Sequence, residues 1–323
     1  MKIAALAWTA ALIVFAAGSP VESAEPWDAA KGREFTFVVG YGAGASTDAT
    51  SRILAKKLTE MGINAKVVNK PGAGGTEGTY WAAQQSPKSG ILLAATPTAF
   101  HFLAAAEKTG YSWKDFEPIA MWSSAAFAFV VPQDSKYKTM QDLIAAAKQN
   151  PGKISVGSTG SGGEYQYIID KIFSTAGTSI NYVGFKGGGE VTTNLLGSHI
   201  DAGYISVAGA APLVDGGKMR FLAHTAETGD RLAAYPDVPH VRQLGYDEAQ
   251  NSSYALWAPK GSDANMRKAL AAAVEAAVRD PEVIAANQKL GLTIIYKGPD
   301  ELLAAAQEIE TKVVPDYVKW SKR

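Results

Sequence analysis

Apolar positions fall in short runs separated by amphipathic stretches, and the period changes between the two. The run FTFVV at 35–39 predicts a buried strand, 48–60 a helix, 65–68 a strand, 76–85 a helix and 90–95 a strand. A second series follows Val130, Val131 and Pro132. Thr139-x-x-Asp142 reads as a capping box ahead of a helix over 143–148, and strands are expected at 154–156, 180–183, 200–205 and 219–223 with helical stretches between them. The chain then restarts with a strand at 255–258, a helix over 262–279, a second helix opened by Pro281, a strand at 292–296 and a terminal helix from Pro299. Strands alternating with helices imply βαβ units and a largely parallel sheet covered on both faces. The fold class is therefore α/β. The last segment is too short for a domain of its own, so it is expected to pack back on the first series, with the chain crossing near Val130 and again near Ser253.

The first 24 residues have a different pattern. Met1 and Lys2 are followed by a stretch at 3–17 that is apolar except for Thr9, and Gly18, Ser19 and Pro20 then break any helix. That run is shorter than the roughly 20 apolar residues a bilayer span needs and matches the core of a secretory signal. Residues 1–24 are read as a signal peptide cut after Ser23 or Ala24, which makes the mature chain a soluble exported protein.

Composition narrows the chemistry. The 323 residues carry 31 basic and 31 acidic side chains and no cysteine. Balanced charge removes the footprint of a nucleic-acid binder. Without cysteine there is no thiolate nucleophile, disulfide framework or zinc–thiolate site. His101, His199, His224 and His240 stand apart without metal-ligand spacing, so neither metal nor cofactor is expected.

Four glycine-rich loops precede helices: GAGAST at 42–47, GAGGTE at 72–77, GSTGSGG at 157–163 and KGGG at 186–189. Glycine allows close backbone approach, and the first N–H groups of a helix lack internal partners at the positive end of its dipole. Such loops bind anions, and in open α/β sheets they lie where ligands bind. No GxxxxGK[ST] or complete GxGxxG is present, which argues against a nucleotide. Ser46, Thr47, Thr76, Ser158, Thr159 and Ser161 add neutral hydroxyl donors suited to a carboxylate. Tyr41, Phe100, Phe102, Tyr165, Tyr167 and Tyr204 are candidates to wall a cleft, or to pack in the core. For Asp48, first-turn stabilisation of a helix and direct ligation stand as alternatives; for Asp201, a structural hydrogen bond at a strand edge and ligation do.

These loops carry a resemblance. FVVGYGAGASTD at 37–48 with Ser51 and Arg52, VNKPGAGGT at 68–76, KDFEPIA at 114–120, KGGG at 186–189, NLLG at 194–197 with Ile200 and Asp201, and YPDVP at 235–239 resemble, in order and spacing, the extracytoplasmic solute receptors of the tripartite tricarboxylate transporter type, the Bug proteins. The resemblance implies a two-lobed periplasmic binding protein of type II-like form, with 25–129 plus 254–323 as the first lobe and 130–253 as the second. It implies a small organic carboxylate as ligand, di- or tricarboxylate, aromatic dicarboxylates included, and membrane transporter subunits as partners of a monomeric receptor. One carboxylate would be held by the loops around Gly44, Ala45, Ser46, Thr47 and Asp48 and around Gly74, Gly75 and Thr76. Thr96 would follow the third strand, while Ser158, Thr159, Ser161, Gly162, Gly163 and Asp201 would face the ligand from the second lobe. The chain departs from the family at Gly40 and Ala43, where prolines are common, at Ala45, where glycine is usual, and in the stretch GEYQ at 163–166, which lacks the His of the usual helix start. Two other readings were weighed: an exported serine-type hydrolase using Ser161, a near-miss to the GxSxG elbow, and a periplasmic sensor partner of a membrane kinase.

Overall fold

Two series of strand–loop–helix repeats flank one long strand. The computed structural model describes residues 24–72, 75–106, 109–226, 232, 234–247 and 251–322. In the first series β1 (Glu34–Val39), β2 (Asn64–Asn69) and β3 (Ile91–Ala95) lead into α1 (Ser46–Glu60), α2 (Thr76–Ala83) and α3 (Pro97–Ala106). The long strand β4 (Phe116–Pro132) and α4 (Met140–Gln149) follow. The second series places β5 (Ser155–Thr159), β6 (Asn181–Phe185) and β7 (Ala202–Ser206) before α5 (Glu164–Thr175), α6 (Gly188–Leu196) and α7 (Val207–Asp215), and closes with β8 (Met219–His224). The chain ends with β9 (Asn251–Pro259), α8 (Ala264–Val278), α9 (Pro281–Lys289), β10 (Leu292–Lys297), α10 (Pro299–Glu308) and α11 (Val314–Ser321).

The sheet runs β2-β1-β3-β9-β4-β7-β5-β6, with β10 and β8 also paired to β4. Parallel pairing is narrower than the alternation suggests. It joins β1 to β2 and β3, and β5 to β6 and β7. The pairs made by β4, and that of β3 with β9, are antiparallel. The reason lies in β4, whose 17 residues serve both halves: residues 116–126 pair with β9, whereas Phe127 to Val130 pair with β7. A strand shared by two sheet halves and buried along most of its length offers no alternation to read, and only its end at Val130–Pro132 was visible in the sequence.

Local signals hold where they were expected. Thr139 accepts from Asp142 N–H at 3.1 Å while the Asp142 carboxylate accepts from Thr139 N–H at 2.9 Å, the reciprocal cap of α4. Between α1, β4 and α9 a buried polar knot ties the first half together. Trp122 Nε1 donates to Thr50 Oγ1 at 2.9 Å, and Thr50 Oγ1 donates to Asn287 Oδ1 at 2.7 Å. At the end of the chain α11 spans both halves: Tyr317 stacks on Phe102 of α3 with ring centroids 4.0 Å apart, and Trp320 Nε1 donates to Asp170 of α5 at 3.0 Å.

Candidate functional site

At the carboxyl ends of the parallel strands the two halves face each other across a cavity of about 680 Å³. The first half contributes the β1–α1 loop from Tyr41 to Thr47, Thr96 beyond β3, and Tyr254 on β9. Facing them are Phe127 on β4, Thr159 at the end of β5, Glu164 and Tyr165 on α5, the Lys186–Gly187–Gly188–Gly189 loop with Thr192, and Ile205, Ser206 and Gly209 around the start of α7; Ser252 on β9 completes the wall.

Several helices begin at the cavity wall, and most of them lack a side-chain cap. Away from the cavity, α4, α8 and α9 begin with side-chain caps from Thr139, Asp263 and Asp280. Elsewhere α2 and α10 have none; of the four helices whose starts reach the cavity wall, α7 is capped by Ser206 Oγ, which accepts from Gly209 N–H at 3.2 Å, whereas α1, α5 and α6 have no side-chain cap. Their initial N–H groups thus have neither an intrahelical acceptor nor a cap, and they lie at the positive end of the helix dipole. At α1 those N–H groups belong to Ser46 and Thr47, both residues of the cavity wall, and Gly44 is held at φ +85° in the turn before them. The Thr96 hydroxyl is buried in the same wall and makes no hydrogen bond. Such a set can accept an anion without a charged clamp.

Besides Lys186 and the hydroxyls of Thr159, Thr192 and Ser206, polarity comes from phenols and one acid. Tyr165 and Ser252 share a hydrogen bond of 2.7 Å between their hydroxyls, and Ser252 Oγ donates to Glu164 Oε1 at 3.4 Å. Burial, and then the neighbouring Glu164 charge, push the Tyr41 and Tyr165 phenols well above the ordinary range. Burial also raises Tyr254, against a hydrogen bond with Ser46 that favours its ionised form. These hydroxyls stay protonated at any physiological pH and act as donors.

Asp48 holds the loop from behind. Its Oδ2 accepts from Gly44 N–H at 2.9 Å and from Arg52 Nε at 3.1 Å, and its Oδ1 accepts from Asn69 Nδ2 at 2.9 Å and pairs with Arg52 at 2.8 Å. Burial works against the Asp48 charge, but those hydrogen bonds and the Arg52 charge outweigh it and hold the carboxyl below its usual range. Asn69 also donates to the Tyr41 carbonyl at 2.9 Å, so the brace reaches both ends of the loop.

Residues 50–315 match the family described as the tripartite tricarboxylate transporter family receptor, TctC. The chain belongs to that family. A UPF0065 protein from the gbd 5′ region of Cupriavidus necator is 33% identical over 285 residues, 87% of this chain and 85% of its own length. BugT of Bordetella pertussis is 26% identical over 293 residues, 89% of each chain. Among solved structures, a TctC solute-binding protein from Polaromonas is 25% identical with a TM-score of 0.73, over 89% of this chain and 97% of its own. MatC from Rhodopseudomonas palustris, solved with bound malate, has a TM-score of 0.76 at 23% identity, over 88% and 99% of the two chains. A further Rhodopseudomonas palustris protein, solved with adipate, has a TM-score of 0.75 at 20% identity, over 89% and 98%. At these identities the last two establish the fold they share with this TctC-type receptor.

The residues singled out in the sequence divide into three groups. Tyr41, Gly44, Ala45, Ser46, Thr47, Thr96 and Thr159 line the cavity. Gly74 lies outside the described residues, as do residues 1–23 with the signal-peptide reading and the side chain of Phe100. The others stand behind the wall. Gly75 and Thr76 belong to a loop pressed against the first one: a Cβ at Gly40 would sit 2.7 Å from the Gly75 carbonyl, and one at Gly78 2.7 Å from the Lys70 carbonyl. Ser158 Oγ is buried and donates to the Tyr204 carbonyl at 2.7 Å. Ser161 lies over Gly184, and the carbonyl of Gly162 accepts from Tyr317, which turns this loop toward α11; Gly163 is the N-cap of α5. Asp201 accepts from Ser155 N–H at 2.9 Å and Ser155 Oγ at 2.7 Å, the strand-edge bonds that were one of its two readings. Asp48 likewise braces the first turn rather than lining the cavity.

Of the other aromatic candidates, Phe102 and Tyr167 join the α11 cluster, and Tyr204 hydrogen-bonds Thr225 in the core at 2.6 Å. No histidine lines the cavity: His101 Nδ1 meets the Pro97 carbonyl at 2.6 Å, and His240 Nε2 meets the Ala226 carbonyl at 2.9 Å. Sequence reading did not single out Phe127, Glu164, Ser252 or Tyr254. Phe127, Ser252 and Tyr254 converge because β4 and β9 cross between the halves, Glu164 joins them from the start of α5, and no local motif marks that.

Proposed function

We propose that this receptor is exported to the periplasm after cleavage near Ser23 or Ala24, captures a small organic carboxylate by closure of two lobes, and delivers it to the membrane subunits of a tripartite tricarboxylate-type transporter. The observation that carries the reading is that three helices, α1, α5 and α6, begin at the cavity wall without a side-chain cap. An uncapped helix start costs stability, typically about 1 kcal/mol per missing cap. A ligand carboxylate on the Ser46 and Thr47 amides replaces the missing cap at α1, and the Thr96 hydroxyl offers a further donor. Closure excludes water, and each hydrogen bond to the charged group is then worth about 1.5–3 kcal/mol. Neutral donors therefore suffice. Membership of the receptor family and the acids bound by two of its structural neighbours, malate and adipate, support the same ligand class.

The test is a thermal-shift panel on ligand-stripped mature protein with mono-, di- and tricarboxylates, aliphatic, hydroxylated and aromatic. A ligand that binds only the folded state, at 100 times its Kd, adds about 2.7 kcal/mol. A shift with an acid that is recovered unchanged supports the receptor reading. No shift with any acid overturns it, and chemical consumption of the acid that binds returns the argument to an enzyme.

A further inference from the structure

Among the described residues, the one acidic side chain in the cavity wall is Glu164 on the first turn of α5, and it is 5% exposed. The wall around the same cavity is aromatic, with Tyr41, Phe127, Tyr165 and Tyr254, and the Phe127 and Tyr165 ring centroids are 4.7 Å apart. The basic lining residue is Lys186, which is exposed and on the β6–α6 loop. Glu164 lies at the positive end of the α5 dipole and accepts from the Ser252 hydroxyl at 3.4 Å. In a closed, water-excluded cavity a second ligand carboxylate brought against Glu164 meets a like charge that is poorly screened. An ammonium group meets the opposite situation. Its charge pairs with the carboxylate, and aromatic faces attract a desolvated cation.

We infer that the part of the cavity walled by Glu164 and these four rings holds an ammonium group, and that the ligand is a zwitterion whose carboxylate sits on the amide end of α1. The inference rests on the reading of the cavity as a carboxylate site and names the rest of the ligand. Methylated and unmethylated ammonium groups share this chemistry, and paired probes tell them apart.

The experiment is isothermal titration of the ligand-stripped protein with acids of increasing chain length, each matched to an uncharged isostere. For one length these are 4-(trimethylammonio)butanoate against 5,5-dimethylhexanoate, and 4-aminobutanoate against pentanoate, with adipate as the dicarboxylate. At the fitting length one ammonium acid binds about tenfold tighter than its isostere or more. Glu164→Gln, which keeps the size of the side chain, weakens that acid about tenfold while changing the isostere about twofold or less. Equal or tighter binding of the isosteres or of adipate to the wild-type protein overturns the inference and leaves the carboxylate reading standing. Undiminished ammonium preference in a folded Glu164→Gln variant also overturns it. Failure of every acid to bind overturns both readings. The wild-type comparison decides the matter even if the variant does not fold.

Discussion

Replacing Asp48 by Asn removes one charge and almost no volume, and the geometry says what that does. Each carboxylate oxygen accepts from two donors: Oδ2 from Gly44 N–H and Arg52 Nε, and Oδ1 from Asn69 Nδ2 and an Arg52 Nη atom. Whichever way the new amide turns, its NH₂ faces two donors, so at least two hydrogen bonds are lost. A hydrogen bond to a charged group contributes about 1.5–3 kcal/mol, and the Arg52 contacts count at the low end because that side chain is 50% exposed. The expected loss is about 2–4 kcal/mol, read from urea denaturation of wild type and Asp48→Asn. The folded pKa of Asp48 lies below its unfolded value, so its contribution is present at neutral pH and disappears as pH falls below about 4, through the lower folded value. The gap between the two proteins should accordingly narrow in acid. Because the brace sets the loop that lines the cavity, ligand affinity should fall as well. A variant within about 0.5 kcal/mol of wild type at pH 7, or a gap that grows in acid, would refute the reasoning.

Asn287→Ala strips the Thr50 hydroxyl of its acceptor and leaves the Val283 carbonyl without its side-chain donor in a fully buried site, so urea denaturation should show a loss of about 2–3 kcal/mol with ligand affinity unchanged. Gly40→Ala drives a Cβ to 2.7 Å from the Gly75 carbonyl, and the two loops must separate; a destabilisation of about 1–3 kcal/mol together with weaker binding in titration calorimetry is expected. If neutral amides and hydroxyls hold the carboxylate, as proposed, raising salt from low to molar concentration should change its Kd by about twofold or less, and a steep loss would point to a charged clamp.

What was legible in the sequence was what neighbours along the chain decide. Strand period, the Thr139–Asp142 cap and the glycine turn into α1 are local, and each stands where the pattern puts it. The two similar hexapeptides show the limit of that logic. Among the described residues only those of the first line the cavity, because Gly40 and Gly78 let Gly75 and α2 pack tightly behind it. Asp48 and Asp201 were ambiguous for the same reason: an acid at a helix start or strand edge has a structural and a binding use, and its partners Asn69 and Ser155 come from other strands. Glu164 of α5 and Ser252 of β9 meet in a hydrogen bond across 88 residues of chain, which no motif encodes.

The account turns on whether the first amides of α1 receive the ligand. Amide resonances of ¹⁵N-labelled, deuterated receptor, assigned and followed through a titration with the tightest acid of the panel, report on that contact directly. Large saturable shifts at Ser46 and Thr47, with the amides at the starts of α4 and α8 unmoved, are the predicted result. Saturable binding that leaves the Ser46 and Thr47 amides where they were would contradict it.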